Sequence, residues 1–343
     1  MTMVPVHRSD GSGAHRSPGK RRKKRKRSVG ELELLVGGMV VVLAAQSWLS
    51  GLTSAPWLRA WASVFLAICV QALPFLVLGT LISAAIAVFV PTSFLERALP
   101  RNQMLAVPVA GAAGVVLPGC ECASVPVAGG LMARGVAPAA ALAFLLSAPA
   151  INPVVLVATT VAFPGHPEMV AARYVASLGT ACAMGWLWAR FGRPDWLRMP
   201  ARRAVPEGAA GRWGAFREAL EHDFLHAGGW LVVGGITAAT LNVLVPHDVL
   251  KGLGGVPVLS VVVLALLAVV LAVCSEADAF VAASLTAFPP TARLAFMVIG
   301  PMVDVKLIAL QTGTFGRDFA WRFSAATFVT GLVLASITGW WLL

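Results

Sequence analysis

Long, continuous apolar runs recur along this sequence and constrain its fold more than any other feature. Leu32–Leu52 and Trp61–Val90 each reach the about 18–20 residues that an α-helix needs to cross a hydrocarbon core. The composition agrees, because 58% of the residues are hydrophobic, only 13% are charged and the mean hydropathy is +0.79. A typical soluble domain is about 25% charged. The sequence therefore predicts an all-α polytopic membrane protein embedded in the lipid bilayer.

Clusters of basic residues predict how the chain is oriented and organised. Arg21–Arg27 is a run of seven basic residues without apolar periodicity, which we interpret as a disordered cytoplasmic tail rather than a nucleic-acid-binding region. The arginines of residues 190–217 also favour the cytoplasm, so we predict a multi-pass plasma-membrane protein whose N-terminus is cytoplasmic. The predicted parts are a tail (1–30), a first transmembrane helix (31–57), a first repeat (58–190), a cytoplasmic basic loop (191–217) and a second repeat (218–343).

The segment Leu105–Arg134 is difficult to place as an ordinary span. Its apolar parts before Pro118 and after Cys122 are each too short to cross the bilayer comfortably. A single crossing with a disordered middle and a hairpin that returns to the same side both fit its length. Counting two full spans, Val136–Phe163 and Ala171–Trp188, back from the arginine-rich loop puts Arg134 on the cytoplasmic side. Counting two spans forward from the basic tail puts Arg97 and Arg101 there too, so both ends face the cytoplasm and a re-entrant hairpin is favoured.

The second half of the chain repeats the plan of the first half. Val256–Pro290 is predicted to be a second hairpin, entering from the outside, and Thr291–Thr314 a full span. The offset between matched positions falls only from 155 to 152. The matched positions are Phe75 with Trp230, Gly79 with Gly234, Cys120 with Cys274, Cys122 with Glu276, Ser124 with Asp278, Pro149 with Pro301, and Asn152 with Asp304.

These observations predict two inverted repeats, each with a re-entrant or broken helical hairpin. We expect about seven full spans plus two hairpins, made from 8–10 hydrophobic segments. Inverted repeats with broken helices are typical of secondary transporters, whose binding sites lie near the bilayer midplane.

Polar residues are concentrated at the two hairpin tips and after the second hairpin. Ionisable groups at membrane depth are rare and are usually functional. Ser124 or Ser275 could cap the helix that follows each tip. The predicted residues for binding a substrate or ion are Cys120, Glu121, Cys122, Ser124, Asn152, Cys274, Glu276, Asp278, Asp304 and Lys306.

Each of these polar groups has a functional and a structural interpretation. Thiolates are soft ligands, so Cys120, Cys122 and Cys274 are candidate ligands for a metal or metalloid; the alternative is that they are simply buried near acids that fix the tip geometry. Lys306 could pair with a carboxylate, either to drive a conformational change or as a static ion pair. Its candidate partners are Asp304, Asp278 and Glu276.

Two signatures in the sequence resemble a known family. The pattern Leu117-Pro118-x-Cys120-x-Cys122-Ala-Ser-Val-Pro126, followed by Pro149-x-x-Asn152-Pro153, is similar to the bacterial predicted-permease family that includes the organoarsenical efflux permeases. The run from Cys274 to Asp278 resembles that family's second signature. The resemblance covers about residues 58–341 and implies a polytopic permease of the plasma membrane. Asp304 stands where an uncharged residue is expected, so arsenical specificity is not carried over.

The predicted function is secondary transport by a membrane permease. We expect it to move a small ion or a thiophilic metal or metalloid solute by alternating access, in the efflux direction. The alternative is a membrane subunit that acts with a membrane or extracytoplasmic partner protein in metal handling or envelope assembly. No Walker, dinucleotide-binding, HExxH or GxSxG sequence occurs, so we expect no enzyme activity, no cofactor and no nucleic-acid partner.

Overall fold

Every regular element that the structure describes is helical, as the apolar runs predict. The computed structural model describes residues 56–91, 94, 99–100, 102–116, 120–198, 209–244 and 257–343. The predicted tail, the predicted first transmembrane helix except for its last two residues, and residues 199–208 of the basic loop lie outside the described residues.

The first half of the described chain contains six α-helices. Between α2 and α3 the helix is interrupted, so the predicted break within Leu105–Arg134 is present. The helices are α1 (Pro56–Phe89), α2 (Gln103–Ala113), α3 (Glu121–Ala133), α4 (Pro138–Ile151), α5 (Pro153–Ala162) and α6 (Pro167–Phe191), with 3-10 turns at Gly114–Val116 and Pro194–Trp196.

The second half repeats this order of one long helix, two short ones, an interrupted pair and a second long helix. Its first long helix, α7, is continuous from Ala209 to Leu244. The helices are α7 (Ala209–Leu244), α8 (Pro257–Leu271), α9 (Asp278–Ser284), α10 (Pro290–Ile299), α11 (Val305–Phe315) and α12 (Arg317–Leu342).

Two segments that the sequence predicts as uninterrupted spans are each divided into two helices. The first divides at Asn152, whose backbone is extended (φ −66°, ψ 157°) because the following Pro153 disfavours helical angles at the residue before it. The second divides at residues 300–304, where Asp304 is also extended (φ −140°, ψ 170°). Each division places a polar side chain and a fresh helix N-terminus in the middle of an apolar segment.

Helix lengths confirm the prediction of a polytopic membrane protein. Four helical segments in the described part of the chain are long and apolar enough to cross a bilayer: Pro56–Phe89, Pro138–Ala162, Gly211–Leu244 and Arg317–Leu342. In the apolar window of Pro138–Ala162, 78% of the residues are buried, against 28–33% of the residues in the windows of the other three segments. The interrupted pair α4–α5 is therefore central, and the other three long segments expose much of their apolar surface, as expected next to lipid.

The short helices pack across the two halves of the chain. Helix α3 contacts α11, and α9 contacts α5. Each helix that follows a predicted hairpin tip therefore packs on the second member of the interrupted pair in the other half. This arrangement brings the polar residues of both tips and both interruptions into the interior.

Gly79 and Gly234, which occupy matching positions in the two halves, allow the long helices to approach this interior closely. A Cβ atom added to Gly79 of α1 would lie 2.5 Å from the Cα of Ala123 on α3. A Cβ atom added to Gly234 of α7 would lie 2.9 Å from the Cα of Lys306 on α11. Both long helices thus make backbone contact with a helix that carries charged residues.

Candidate functional site

A buried lysine links the two halves of the chain at the centre of the molecule. Lys306 Nζ donates a hydrogen bond of 2.9 Å to Glu121 Oε1 and lies 3.6 Å from Asp304 Oδ2. All three side chains are completely buried. Removing charges from water is costly, so such a group is tolerated only when opposite charges are held together.

The helix termini explain why these charges occur where they do. Glu121 is the first residue of α3, where the positive end of the helix dipole favours a carboxylate. Asp304 is the N-cap of α11, and its Oδ1 accepts a hydrogen bond of 2.6 Å from the Leu307 backbone N–H. Lys306 lies in the first turn of α11, where the dipole disfavours a cation. The two carboxylates offset that unfavourable position.

A second buried ion pair lies between α6 and the tip of the second hairpin. Arg173 Nη2 contacts Asp278 Oδ2 at 2.7 Å and the Ser275 carbonyl oxygen at 3.4 Å, while its Nη1 donates to Thr159 Oγ1 at 2.9 Å. Arg173 is completely buried. Sequence reasoning missed this residue, although a lone arginine inside the predicted span Ala171–Trp188 was the signal that could have found it.

The ionic pairing differs in part from the sequence prediction. The predicted contact of Lys306 with Asp304 is confirmed. The predicted alternative of Lys306 with Asp278 is wrong, because Arg173 from another helix takes that carboxylate. The closest partner of Lys306, Glu121, was not among the expected ones, since only the tertiary packing of α3 on α11 brings the two together.

The predicted serine caps are also wrong. Ser124 lies inside α3, where its hydroxyl donates to the Glu121 carbonyl oxygen at 3.0 Å, and the N-cap is Cys120. The N-cap of α9 is Ala277 rather than Ser275. The helix before this tip, α8, ends at Leu271, and the next residue, Ala272, adopts a positive φ of 48°. Residues with a side chain rarely adopt this conformation outside turns.

Asn152 has the structural role in the first half that Asp304 has in the second. Its Oδ1 accepts a hydrogen bond of 3.0 Å from the Val155 backbone N–H, and its Nδ2 donates to the Ala148 carbonyl oxygen at 3.1 Å. The side chain thus bonds to both helices at the interruption. The matched pair therefore shares a capping function, while only the member in the second half carries charge.

The charged centre has more carboxylates than cations among the residues described. Glu121 and Asp278 begin the helices that follow the two tips, Glu276 lies just before Asp278, and Asp304 lies at the second interruption. Each of these four carboxylates has one buried oxygen without a hydrogen bond, namely Glu121 Oε2, Glu276 Oε2, Asp278 Oδ1 and Asp304 Oδ2. Among the described residues, the cations that contact these carboxylates are Lys306 and Arg173. Such a centre favours positively charged or hydrogen-bond-donating species over anions.

The three tip cysteines are buried free thiols. Cys274 Sγ lies 3.9 Å from Lys306 Nζ, and Cys120 and Cys122 flank Glu121 at the start of α3. Nowhere in the described ranges do three or more His, Cys, Asp or Glu side chains form a group that could hold a metal ion. The predicted metal ligation by Cys120, Cys122 and Cys274 therefore has no support from this geometry.

The apolar helices and the buried charges between them define a multi-pass α-helical membrane protein with a polar centre. The chain belongs to the family of predicted permeases, whose model matches residues 58–340. This confirms the resemblance noted in the two signatures. The family description, a predicted permease, is that of a transporter.

Two relatives align over most of this chain. It is 33% identical over 279 residues to the UPF0718 protein YcgR of Bacillus subtilis (strain 168), covering 80% of this chain and 94% of that protein. It is 30% identical over 284 residues to the "Putative two-component membrane permease complex subunit" of Streptococcus mutans serotype c (strain ATCC 700610 / UA159), covering 81% and 94%. No solved structure shows a significant match.

Proposed function

We propose that this permease is a secondary transporter that exports a small ion or a thiophilic metal or metalloid solute by alternating access. The observation that carries the proposal is the contact of Lys306 with Glu121, a completely buried ion pair that joins the two halves where their helices are interrupted. Intramembrane ion pairs at helix interruptions are characteristic of substrate and ion pathways.

Two features support alternating access. Both halves have the same order of elements, and each has an interrupted helix pair capped by a matched polar residue, Asn152 or Asp304. Under the inverted-repeat arrangement, with a cytoplasmic N-terminus, the two hairpins enter from opposite sides of the membrane. Rocking of one half against the other would then open the shared centre to each side in turn.

The chemistry of the centre supports this class of solute. The oxygens of Glu121, Glu276 and Asp278 that have no hydrogen bond favour a cation or a hydrogen-bond donor, and Asp304 adds a fourth carboxylate beside Lys306. The thiols of Cys120, Cys122 and Cys274 are soft donors that would contact a thiophilic solute once it binds, although the described structure does not group them as a ready-made ligand set. We assign these side chains, together with Ser124, Asn152 and Lys306, to the transport site.

The proposal is tested by reconstituting the purified protein in proteoliposomes and measuring uptake of Zn²⁺, Cu⁺, arsenite and a trivalent organoarsenical. We expect at least one of these solutes to be transported, and Lys306→Gln to abolish its transport. Cys120→Ser, Cys122→Ser and Cys274→Ser should each slow it, whereas Cys69→Ser, a half-buried thiol on α1, should not. Failure to move any of the four solutes, with unchanged metal and arsenical tolerance in a deletion strain, would contradict the proposal.

A membrane subunit that requires a partner protein is the second candidate. It is favoured by the name of the Streptococcus mutans relative, which describes one subunit of a two-component complex. In metal handling or envelope assembly, such a subunit would transport nothing alone and would become active only when a membrane or extracytoplasmic partner is added. Activity that appears only after co-reconstitution with a partner protein would favour this candidate over the first.

A further inference from the structure

We propose that Arg173 is the counterpart of Lys306, and that the Arg173–Asp278 and Lys306–Glu121 ion pairs are two equivalent latches, one for each hairpin. Each latch holds the helix that follows one hairpin tip against the opposite half of the molecule. Arg173 is thereby a positioning residue of the transporter. This inference rests on the proposed alternating access and adds the elements that hold each side closed.

The two latched carboxylates occupy equivalent places. Glu121 is the first residue of α3 and Asp278 is the first residue of α9, so each begins the helix that follows a hairpin tip. The sequence match, which pairs Asp278 with Ser124, conceals this equivalence. In both places the helix dipole favours the carboxylate, and one carboxylate oxygen contacts the cation while the other has no hydrogen bond.

The two cations reach those carboxylates across equivalent packing contacts. Helix α3 packs on α11, which supplies Lys306, and α9 packs on α5. The position on α5 that matches Lys306 is Val154, an apolar side chain that is 51% exposed. Arg173, from the next helix, α6, takes over the role by donating to Thr159 of α5 and reaching Asp278.

The geometry of the Arg173–Asp278 latch suits a contact that opens and closes. Arginine and a carboxylate can form two parallel hydrogen bonds, but here a single Nη2 atom contacts a single oxygen of Asp278. The Nε of Arg173 and the Oδ1 of Asp278 are buried without hydrogen bonds. A partly satisfied buried network is less stable than a complete one, so less free energy is needed to separate its members.

The latches are tested by side-specific labelling of single-cysteine proteins with a membrane-impermeant maleimide in sealed vesicles of both orientations. One reporter keeps only Cys274, in the tip preceding α9, and the other keeps only Cys122, in α3. Arg173→Gln opens one latch and Glu121→Gln opens the other. A change in thiol reactivity alone would be equal from both sides, so the side of labelling separates access from reactivity.

We expect a reciprocal result. Arg173→Gln should increase labelling of Cys274 from the outside by about tenfold, and Glu121→Gln should increase labelling of Cys122 from the cytoplasm by about tenfold, within the usual range of coupling between sites. Arg173→Lys should have a smaller effect than Arg173→Gln. Arg293→Gln, an arginine on α10 that lies over Phe163, and Glu168→Gln, an exposed carboxylate, are matched controls that should leave labelling unchanged.

If each variant increased the labelling of both reporter cysteines, the protein would be loosened in general, and the inference would be overturned. Unchanged labelling in variants that retain the elution profile of the parent protein would also overturn it. The assay needs no solute, so reciprocal labelling without transport would refute the proposed solutes and leave the latches intact. Transport without reciprocal labelling would support the proposed solutes and refute the latches.

Discussion

The two residues of the central ion pair are not equally replaceable. Lys306 has two carboxylate partners, Glu121 at 2.9 Å and Asp304 at 3.6 Å, and it lies on an unfavourable helix N-terminus. Glu121 has Lys306 as its hydrogen-bonded cation. Loss of the lysine therefore leaves two buried carboxylates without their cation, whereas loss of the Glu121 charge leaves Lys306 paired with Asp304.

Neutralising each member of this pair should rank their contributions to stability. We expect Lys306→Gln to lower the free energy of unfolding by about 3–5 kcal/mol, the usual cost of leaving a buried charge unpaired. Glu121→Gln should cost less, because Asp304 still neutralises Lys306. The measurement is the thermal unfolding midpoint of each variant in detergent. An equal or larger loss for Glu121→Gln would show that Asp304 does not act as a second partner.

Sequence reasoning found most of the charged residues at the site but not how they pair. Asp304 and Lys306 are two residues apart, so their contact follows from local geometry. The partners Glu121 and Arg173 are far away in sequence, and only the packing of α3 on α11, and the contact of α6 with the first residue of α9, identifies them. The repeat did not help to find Arg173, because the residue that matches Lys306 is Val154 and the second cation lies on a different helix.

At the scale of helices, the matched glycines control how closely α1 and α7 approach the charged centre. Gly79 and Gly234 each stand where an added Cβ atom would meet backbone atoms rather than the end of a flexible side chain. An overpacked helix contact is relieved by moving one helix away from the other. Since α3 carries Glu121 and α11 carries Lys306, that movement would also separate the ion pair.

Alanine substitutions should therefore reveal these contacts. We expect Gly79→Ala and Gly234→Ala each to lower the free energy of unfolding by about 1–3 kcal/mol, as overpacking does. Gly229→Ala is the matched control on α7, because an added Cβ atom meets nothing within 4 Å there. It should be neutral or slightly stabilising, since alanine favours helix over glycine by about 1 kcal/mol. The measurement is again the unfolding midpoint of each variant. Equal shifts for Gly79→Ala, Gly234→Ala and Gly229→Ala would argue against a close approach of α1 to α3 and of α7 to α11.

For the molecule as a whole, the sequence predicted the class of fold and the positions of most helices but missed two interruptions. Continuous apolar runs are sufficient to predict membrane spans, because the hydrocarbon core imposes one length and one secondary structure. The division at Asn152 is hard to detect from mean hydropathy, because the segment Pro138–Ala162 stays strongly apolar on average despite this one break in the helix. The side of the membrane to which each loop belongs stays a prediction from charge.

Cysteines introduced into a cysteine-free protein should test that topology. We expect cysteines at Arg134 and Arg203 to be labelled from the cytoplasm by an impermeant maleimide, and a cysteine at Lys251 from the outside, following the distribution of basic residues. The same vesicles after detergent treatment, in which all three should label, provide the control. Labelling of Arg134→Cys and Arg203→Cys from opposite sides would show that the predicted first hairpin is a single crossing and would refute the inverted repeats.

The complete burial of Lys306, Glu121, Asp304 and Arg173 would limit the rate of the proposed alternating-access transport. A continuous aqueous pore passes ions without rearranging its walls, whereas a sealed centre exchanges nothing with water until packed helices separate. Collective motions of that kind take microseconds to milliseconds, so each cycle is limited by opening and not by diffusion. The molecule is therefore expected to show the saturable turnover of a carrier, without the unitary currents of a channel.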